Sequence, residues 1–102
     1  MRSSNGISGW TIEVERRAHR DLRKITARAR QTILDFIVYG IPALDHPCRR
    51  GQALKGRMAG LWRYRVGDYR IVARIEEGQR VVAIVMIGHR SNIYPALARL
   101  LS

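Results

Sequence analysis

Cysteine is nearly absent from this 102-residue chain: Cys48 stands alone, so no internal disulfide can form. That fits a reducing compartment. Lysine is almost as scarce, with only Lys24 and Lys55 among 19 basic residues, and the acidic residues number just 8. No apolar run is long enough to cross a membrane. Residues 1–9 are rich in Ser and Gly and lack an apolar segment, so they do not read as a secretory signal. A cytoplasmic protein is expected. His19, His46 and His89 lie far apart, and no HExxH, CxxC or clustered carboxylate motif is present. No metal centre and no cofactor are therefore expected. No Gly-rich phosphate loop precedes a helix, which argues against nucleotide hydrolysis, and no Ser/His/Asp set stands out.

What remains is a strongly cationic chain. The net charge is +11, which calls for an acidic partner such as nucleic acid, an anionic membrane or an acidic protein. The excess is arginine, which favours bidentate phosphate recognition and stacking. The length suits one core. Residues 1–9 are expected to be a disordered tail, and 10–102 a single domain without internal repeats.

The organising stretch is 54–94. It reads as three strands, 61–66, 69–75 and 79–87, joined by tight turns at Gly67-Asp68 and Glu77-Gly78. With Gly67-Asp68 as the loop, Val66 pairs with Tyr69 and Arg65 with Arg70. Alternation then places Trp62, Tyr64, Val66, Tyr69, Ile71, Ala73 and Ile75 on one face, the core face. The other face carries Leu61, Arg63, Arg65, Arg70, Val72 and Arg74. Any single arginine there is accounted for by protection of an edge or by its stem covering apolar surface. Four together, with no carboxylate among them, oppose sheet formation and suit a polyanion.

Before this stretch, 10–15 alternates as a short strand. Residues 16–39 have helical spacing, with Thr26 as a possible cap dividing them into a hairpin. Residues 41–53 form a loop, and 54–60 contribute Lys55 and Arg57. The strand at 81–87 is apolar on both faces, as a central strand is. His89, Arg90 and Tyr94 follow its end, and a short helix over 95–101 starts with proline. The fold class is α+β: N-terminal strand, helical hairpin, three-stranded antiparallel meander and C-terminal helix.

A basic sheet face beside Arg90 and Tyr94 suits metal-independent RNA cleavage. A 2′-OH attacks its own phosphate, and positioned arginines stabilise the charge that grows on phosphate oxygens. Arginine stays protonated and is no routine base. The base is then Tyr94, activated by surrounding positive charge, or His89, a residue type that titrates near neutrality. Tyr94 could also stack on a base.

The segments LKG, LWRYRVGDYRIV and GHRSNIY resemble the RelE/ParE superfamily of toxins from bacterial type II toxin–antitoxin modules, with the RelE branch nearest. The resemblance covers nearly the whole chain after the tail. It implies a cytoplasmic toxin that cleaves mRNA in the ribosomal A site and is neutralised by an acidic cognate antitoxin in a hetero-oligomer. Its catalytic positions match Arg63, Arg65, Arg70, Arg90 and Tyr94, with Lys55, Arg57, Arg74 and His89 as further RNA-binding candidates. Arg63 and Arg65 stand where relatives can carry lysine, which leaves the base open between Tyr94 and His89. The alternatives are a ParE-like inhibitor of DNA gyrase without nuclease activity, and a non-catalytic module that binds RNA or an acidic protein.

Overall fold

Arg65 lies opposite Arg70 and Val66 opposite Tyr69 across the turn at Gly67 and Asp68, the register expected from the sequence. Gly67 adopts a left-handed φ of 59°, a conformation that a side chain at that position resists. The computed structural model describes residues 9–102 and the backbone of 2–4. In chain order its elements are β1 (Arg2–Ser4), β2 (Thr11–Val14), α1 (Arg16–Arg23), α2 (Ala27–Asp35), β3 (Gln52–Ala53), β4 (Trp62–Val66), β5 (Tyr69–Glu76), β6 (Val81–His89) and α3 (Ile93–Leu101). The sheet order is β1-β2-β6-β5-β4-β3. β2 runs parallel to β6, and every other neighbouring pair is antiparallel.

The expected α+β order is therefore present, with β4–β5–β6 as the meander. Two short strands extend it. β3 pairs through Gln52 with Arg63 and Ala53 with Trp62, where only a loop was expected. β1 pairs with β2, so residues 2–4 depart from the expected disordered tail; residues 1 and 5–8 of that tail lie outside the described residues.

Thr26 divides the helical stretch as its residue type suggests. Its Oγ1 accepts a hydrogen bond from the Ala29 amide at 3.2 Å, satisfying one of the free donors at the start of α2. Arg30 reaches back from α2, donating from Nε to the Leu22 carbonyl at 2.8 Å and from Nη2 to that of Ile25 at 3.1 Å. Those carbonyls lie at the end of α1 and just beyond it, where the helix offers no partner. A π-helical turn, Phe36–Gly40, prolongs α2 before the loop.

Two apolar clusters sandwich the sheet. Ile71, Ala73, Ile84 and Ile87 face the helical hairpin, where Ala18, Leu22, Ile33 and Ile37 are buried. Val72, Val85 and Met86 face Ile93 and Leu97 of α3. Strict alternation along β6 fails between these clusters. Val72 pairs with Met86 but Ala73 with Ile84, leaving Val85 as an extra residue. This bulge puts Val85 and Met86 on the same side and returns Ile87 to the hairpin side. The turn before β6 also spans 77–80, so the strand begins and ends two residues later than the expected 79–87.

Asp21 docks α1 onto this bulged strand. Its Oδ2 accepts from the buried Ile87 amide at 2.9 Å, and its Oδ1 from Arg17 Nε at 3.2 Å. β2 stops pairing with β6 at Ile84, so without Asp21 the Ile87 amide would be buried and unpaired, at a cost of about 1–3 kcal/mol. On the far edge, Tyr64 is buried and donates from its hydroxyl to the Pro47 carbonyl at 2.7 Å, pinning the loop to β4. Burial, and secondarily the nearby Cys48, push its phenol well above the ordinary range.

Candidate functional site

β4 and β5 carry Arg63, Arg65 and Arg70 on the α3 side of the sheet. The end of β6 and the start of α3 add His89, Arg90, Ser91 and Tyr94. These seven residues line one open cleft of about 450 Å³ with no carboxylate in its lining. All five candidate catalytic residues and His89 thus meet. Lys55 and Arg57 do not line the cleft; both are exposed in the segment before β4. Arg74 lies on the same face as Arg70 but is held elsewhere. Its Nη2 donates to Glu15 at 2.8 Å and its Nε to Glu76 at 3.4 Å. The Glu15 hydrogen bond is the main cause that raises its pKa further.

Tyr94 is positioned by helix. α3 starts at Ile93, not at Pro95 as the proline suggests. Proline needs no amide partner anywhere in a first turn, so the helix extends back to include Tyr94. Ile93 and Leu97 are buried against the sheet, which aims the ring at β4. Arg63 then donates from Nη1 to the Tyr94 hydroxyl oxygen at 2.7 Å. Its Nη2 donates to Gln52 Oε1, and its Nε is buried without a partner among the described residues.

The other guanidinium groups are less committed. Arg70 donates from Nη1 to the carbonyls of Gly67 at 3.0 Å and Tyr69 at 2.9 Å. Arg65 is exposed, with no hydrogen bond or ion pair among the described residues. Arg90 is tethered through its backbone amide to the Asp68 carbonyl at 2.8 Å. Its side chain meets the Asp68 carboxylate at 3.4 Å with both groups largely exposed, a contact worth little in water. Asp68 is thus a rim counter-charge that a competing anion can displace.

The two candidate bases differ in what they have left to offer. His89 Nδ1 accepts from the Ser91 amide at 3.2 Å and lies 2.8 Å from the Ser91 hydroxyl. A neutral ring so held carries its proton on Nε2 and has no free lone pair. Tyr94 accepts from Arg63 at its hydroxyl oxygen, so its own hydrogen is free to turn toward a ligand.

Gln52 and Asp68 were not singled out from the sequence. Gln52 sits in a two-residue strand too short to show a period, and Asp68 reads only as a turn residue. The fold also joins His46, Cys48 and Glu77, whose potential ligand atoms all lie within 4.8 Å of one another. His46 Nε2 contacts Glu77 at 2.8 Å, and its Nδ1 accepts from the Cys48 amide at 3.1 Å. Both ring nitrogens are occupied, so the group clasps two turns together and offers no free imidazole lone pair for a metal.

The chain matches the family described as ParE toxin of type II toxin–antitoxin system, parDE, over residues 12–94. It is 35% identical to Toxin RelE of Mycobacterium tuberculosis over 85 residues, covering 83% of this chain and 86% of that one. It is 32% identical to Toxin RelG of the same organism, covering 83% and 95%. Among solved structures it superposes on the RelBE2 toxin–antitoxin complex of M. tuberculosis with a TM-score of 0.73 and 30% identity, over 79% of this chain and 98% of that one. With a family match across most of its length and relatives of that identity, the chain belongs to the RelE/ParE superfamily of type II toxin–antitoxin toxins.

Proposed function

We propose that this toxin is an endoribonuclease that cuts mRNA at the ribosomal A site. The observation that carries this reading is a cleft with no carboxylate in its lining, which four arginines share with Tyr94 and in which Arg63 donates to the Tyr94 hydroxyl. The substrate 2′-oxygen forms a bond to the adjacent phosphorus while the bond to the 5′-oxygen of the next nucleotide breaks. The products are a 2′,3′-cyclic phosphate and a new 5′-hydroxyl. Arg65, Arg70 and Arg90 offset the charge on the non-bridging oxygens. The proton of the 2′-OH passes to Tyr94, whose oxygen Arg63 contacts, and the departing 5′-oxygen takes its proton from solvent.

No strong base stands ready in the cleft, so correct alignment of the 2′-OH has to come from the substrate's surroundings. A ribosome-held codon supplies such alignment, and the protein then acts in the cytoplasm. Cleavage of translated RNA should greatly exceed cleavage of the same RNA free in solution. Primer extension on mRNA from cells briefly expressing the toxin tests the reading. Discrete new 5′ ends inside translated codons are expected, and intact transcripts during growth arrest would refute it.

The partner is an acidic cognate antitoxin. Support comes from the +11 charge and from the structural relative, which is a toxin–antitoxin complex. The antitoxin would mask the cleft, leaving Arg65, Arg70 and Arg90 less exposed than in free toxin. A complex in which all three stay fully open would exclude direct masking. A gyrase-directed toxin is the second reading, because the matched family carries the ParE name. It predicts loss of supercoiling activity, and persistence of that loss in a folded Arg90→Ala variant.

A further inference from the structure

A second cavity adjoins the cleft across β4. It measures about 330 Å³ and is lined by Phe36, Arg50, Gly51, Gln52, Arg63, Tyr64 and Arg65. Arg63 and Arg65 line both spaces. The cavity lies before β3 begins: β3 starts at Gln52 and pairs only with Arg63 and Trp62, so β4 has no strand partner on that side from Tyr64 onward. Gly51 holds the loop close, with a φ of +86° and an ideal Cβ that would come within 2.2 Å of the Arg63 carbonyl oxygen. Trp62 Nε1 donates to the Arg50 carbonyl at 2.8 Å and fixes the same loop. The Arg50 guanidinium lies 5.1 Å over the Phe36 ring. Arg50 is exposed and has no carboxylate partner among the described residues.

We infer that this cavity holds the nucleotide next to the cleaved bond, its base stacked on Arg50 and its phosphate held by Arg65. The proposal rests on the nuclease reading and adds to it a subsite. The chemistry fits one nucleotide of single-stranded RNA: a planar cation backed by an aromatic ring, an amide at Gln52, and arginines continuous with those around the scissile phosphate. Stacking of this kind accepts any base. An acidic peptide would be served by the arginines but would leave the stacked plane unused.

The test is a binding and cleavage cycle with a short RNA carrying the cut site. Wild type and Arg50→Ala are compared on strands that are intact, or abasic at the nucleotide on either side of the cut. Binding is read on strands with a single 2′-deoxy sugar at the cut, which cannot be cleaved. Cleavage is read as kcat/KM on ribosomes programmed with the corresponding all-RNA strands. On one side only, removing the base should weaken wild-type binding and kcat/KM about tenfold, the scale of one stacked base. Arg50→Ala should lose the same factor on intact RNA and nothing more on that abasic strand. Arg50→Lys, which keeps the charge but not the plane, should behave like Arg50→Ala. Equal, independent losses, or indifference of wild type to both abasic strands, would overturn the subsite even while cleavage proceeds. Coupled binding losses without any cleavage would leave the subsite standing and refute the nuclease reading.

Discussion

Arg70 and Arg74 sit on one strand, on one face, four residues apart, yet the sheet treats them oppositely. Around Arg70 the neighbours are Arg63, Arg65 and Arg90, and the hydrogen bonds of Arg70 go to turn carbonyls. Around Arg74 stand Glu15 and Glu76, with Glu77 in the adjoining turn. One end of the sheet face is an open cationic cleft; the other is a neutralised rim. The difference teaches that an arginine's strand and face do not define its role. A ligand anion competes with carbonyls and solvent at Arg70, but with two carboxylates at Arg74.

The largest expected effect breaks the comparison at its active end. Arg70→Ala and Arg90→Ala should each cut single-turnover cleavage by about a hundredfold or more, the scale of losing one preorganised donor. Both should remain folded by circular dichroism and abolish growth arrest at matched expression. Arg74→Ala should leave cleavage nearly unchanged. Equal losses at Arg70 and Arg74 would erase the distinction.

Tyr94 and His89 sharpen it next. Tyr94→Phe should slow the chemical step by roughly ten- to a thousandfold, within the usual range for proton-transfer groups, with RNA binding largely kept. His89→Gln should slow it less, because the His89 lone pair is already taken by the Ser91 amide. A larger loss in His89→Gln, measured under the same single-turnover conditions, would transfer the proton role to His89.

Stability effects are smaller and fall at different places. Asp21→Ala should lower unfolding free energy by about 1–3 kcal/mol, since it strands the buried Ile87 amide. Arg74→Ala should cost only about 0–1 kcal/mol, as half-exposed ion pairs do, and less in high salt. Denaturant titration of both variants checks the order.

The smallest expected effect concerns the acidic end. Burial and then Glu77 raise the Cys48 pKa. The thiolate fraction at neutral pH is therefore below that of a free cysteine, and alkylation should be slow, rising only at higher pH. Glu77→Gln removes the second cause and should shift the alkylation profile modestly toward lower pH. An unshifted profile would deny Glu77 that influence.

Much of this was legible in the chain, for local reasons. Gly67-Asp68 specifies a two-residue hairpin, and a period of two then assigns every side chain of β4 and β5 to a face. Thr26 marks its own helix start. Beyond such local signals the reading weakens. The bulge at Val85 has no residue signature, so the fate of Met86 and Ile87 depended on how β6 packs between two layers. Gln52 carries no pattern at all, yet it holds the Arg63 guanidinium.

The sequence by itself determined the arginine-rich face, the hairpin register and the convergence of Arg63, Arg65 and Arg70, because turn chemistry and alternation act over a few residues. Only the tertiary structure decided which arginines are free. Glu15 reaches Arg74 across 59 positions of sequence, and Tyr94 reaches Arg63 across 31. Charge pairing and hydrogen bonding depend on distances in space, and those are set by how α3 and β2 pack on the sheet.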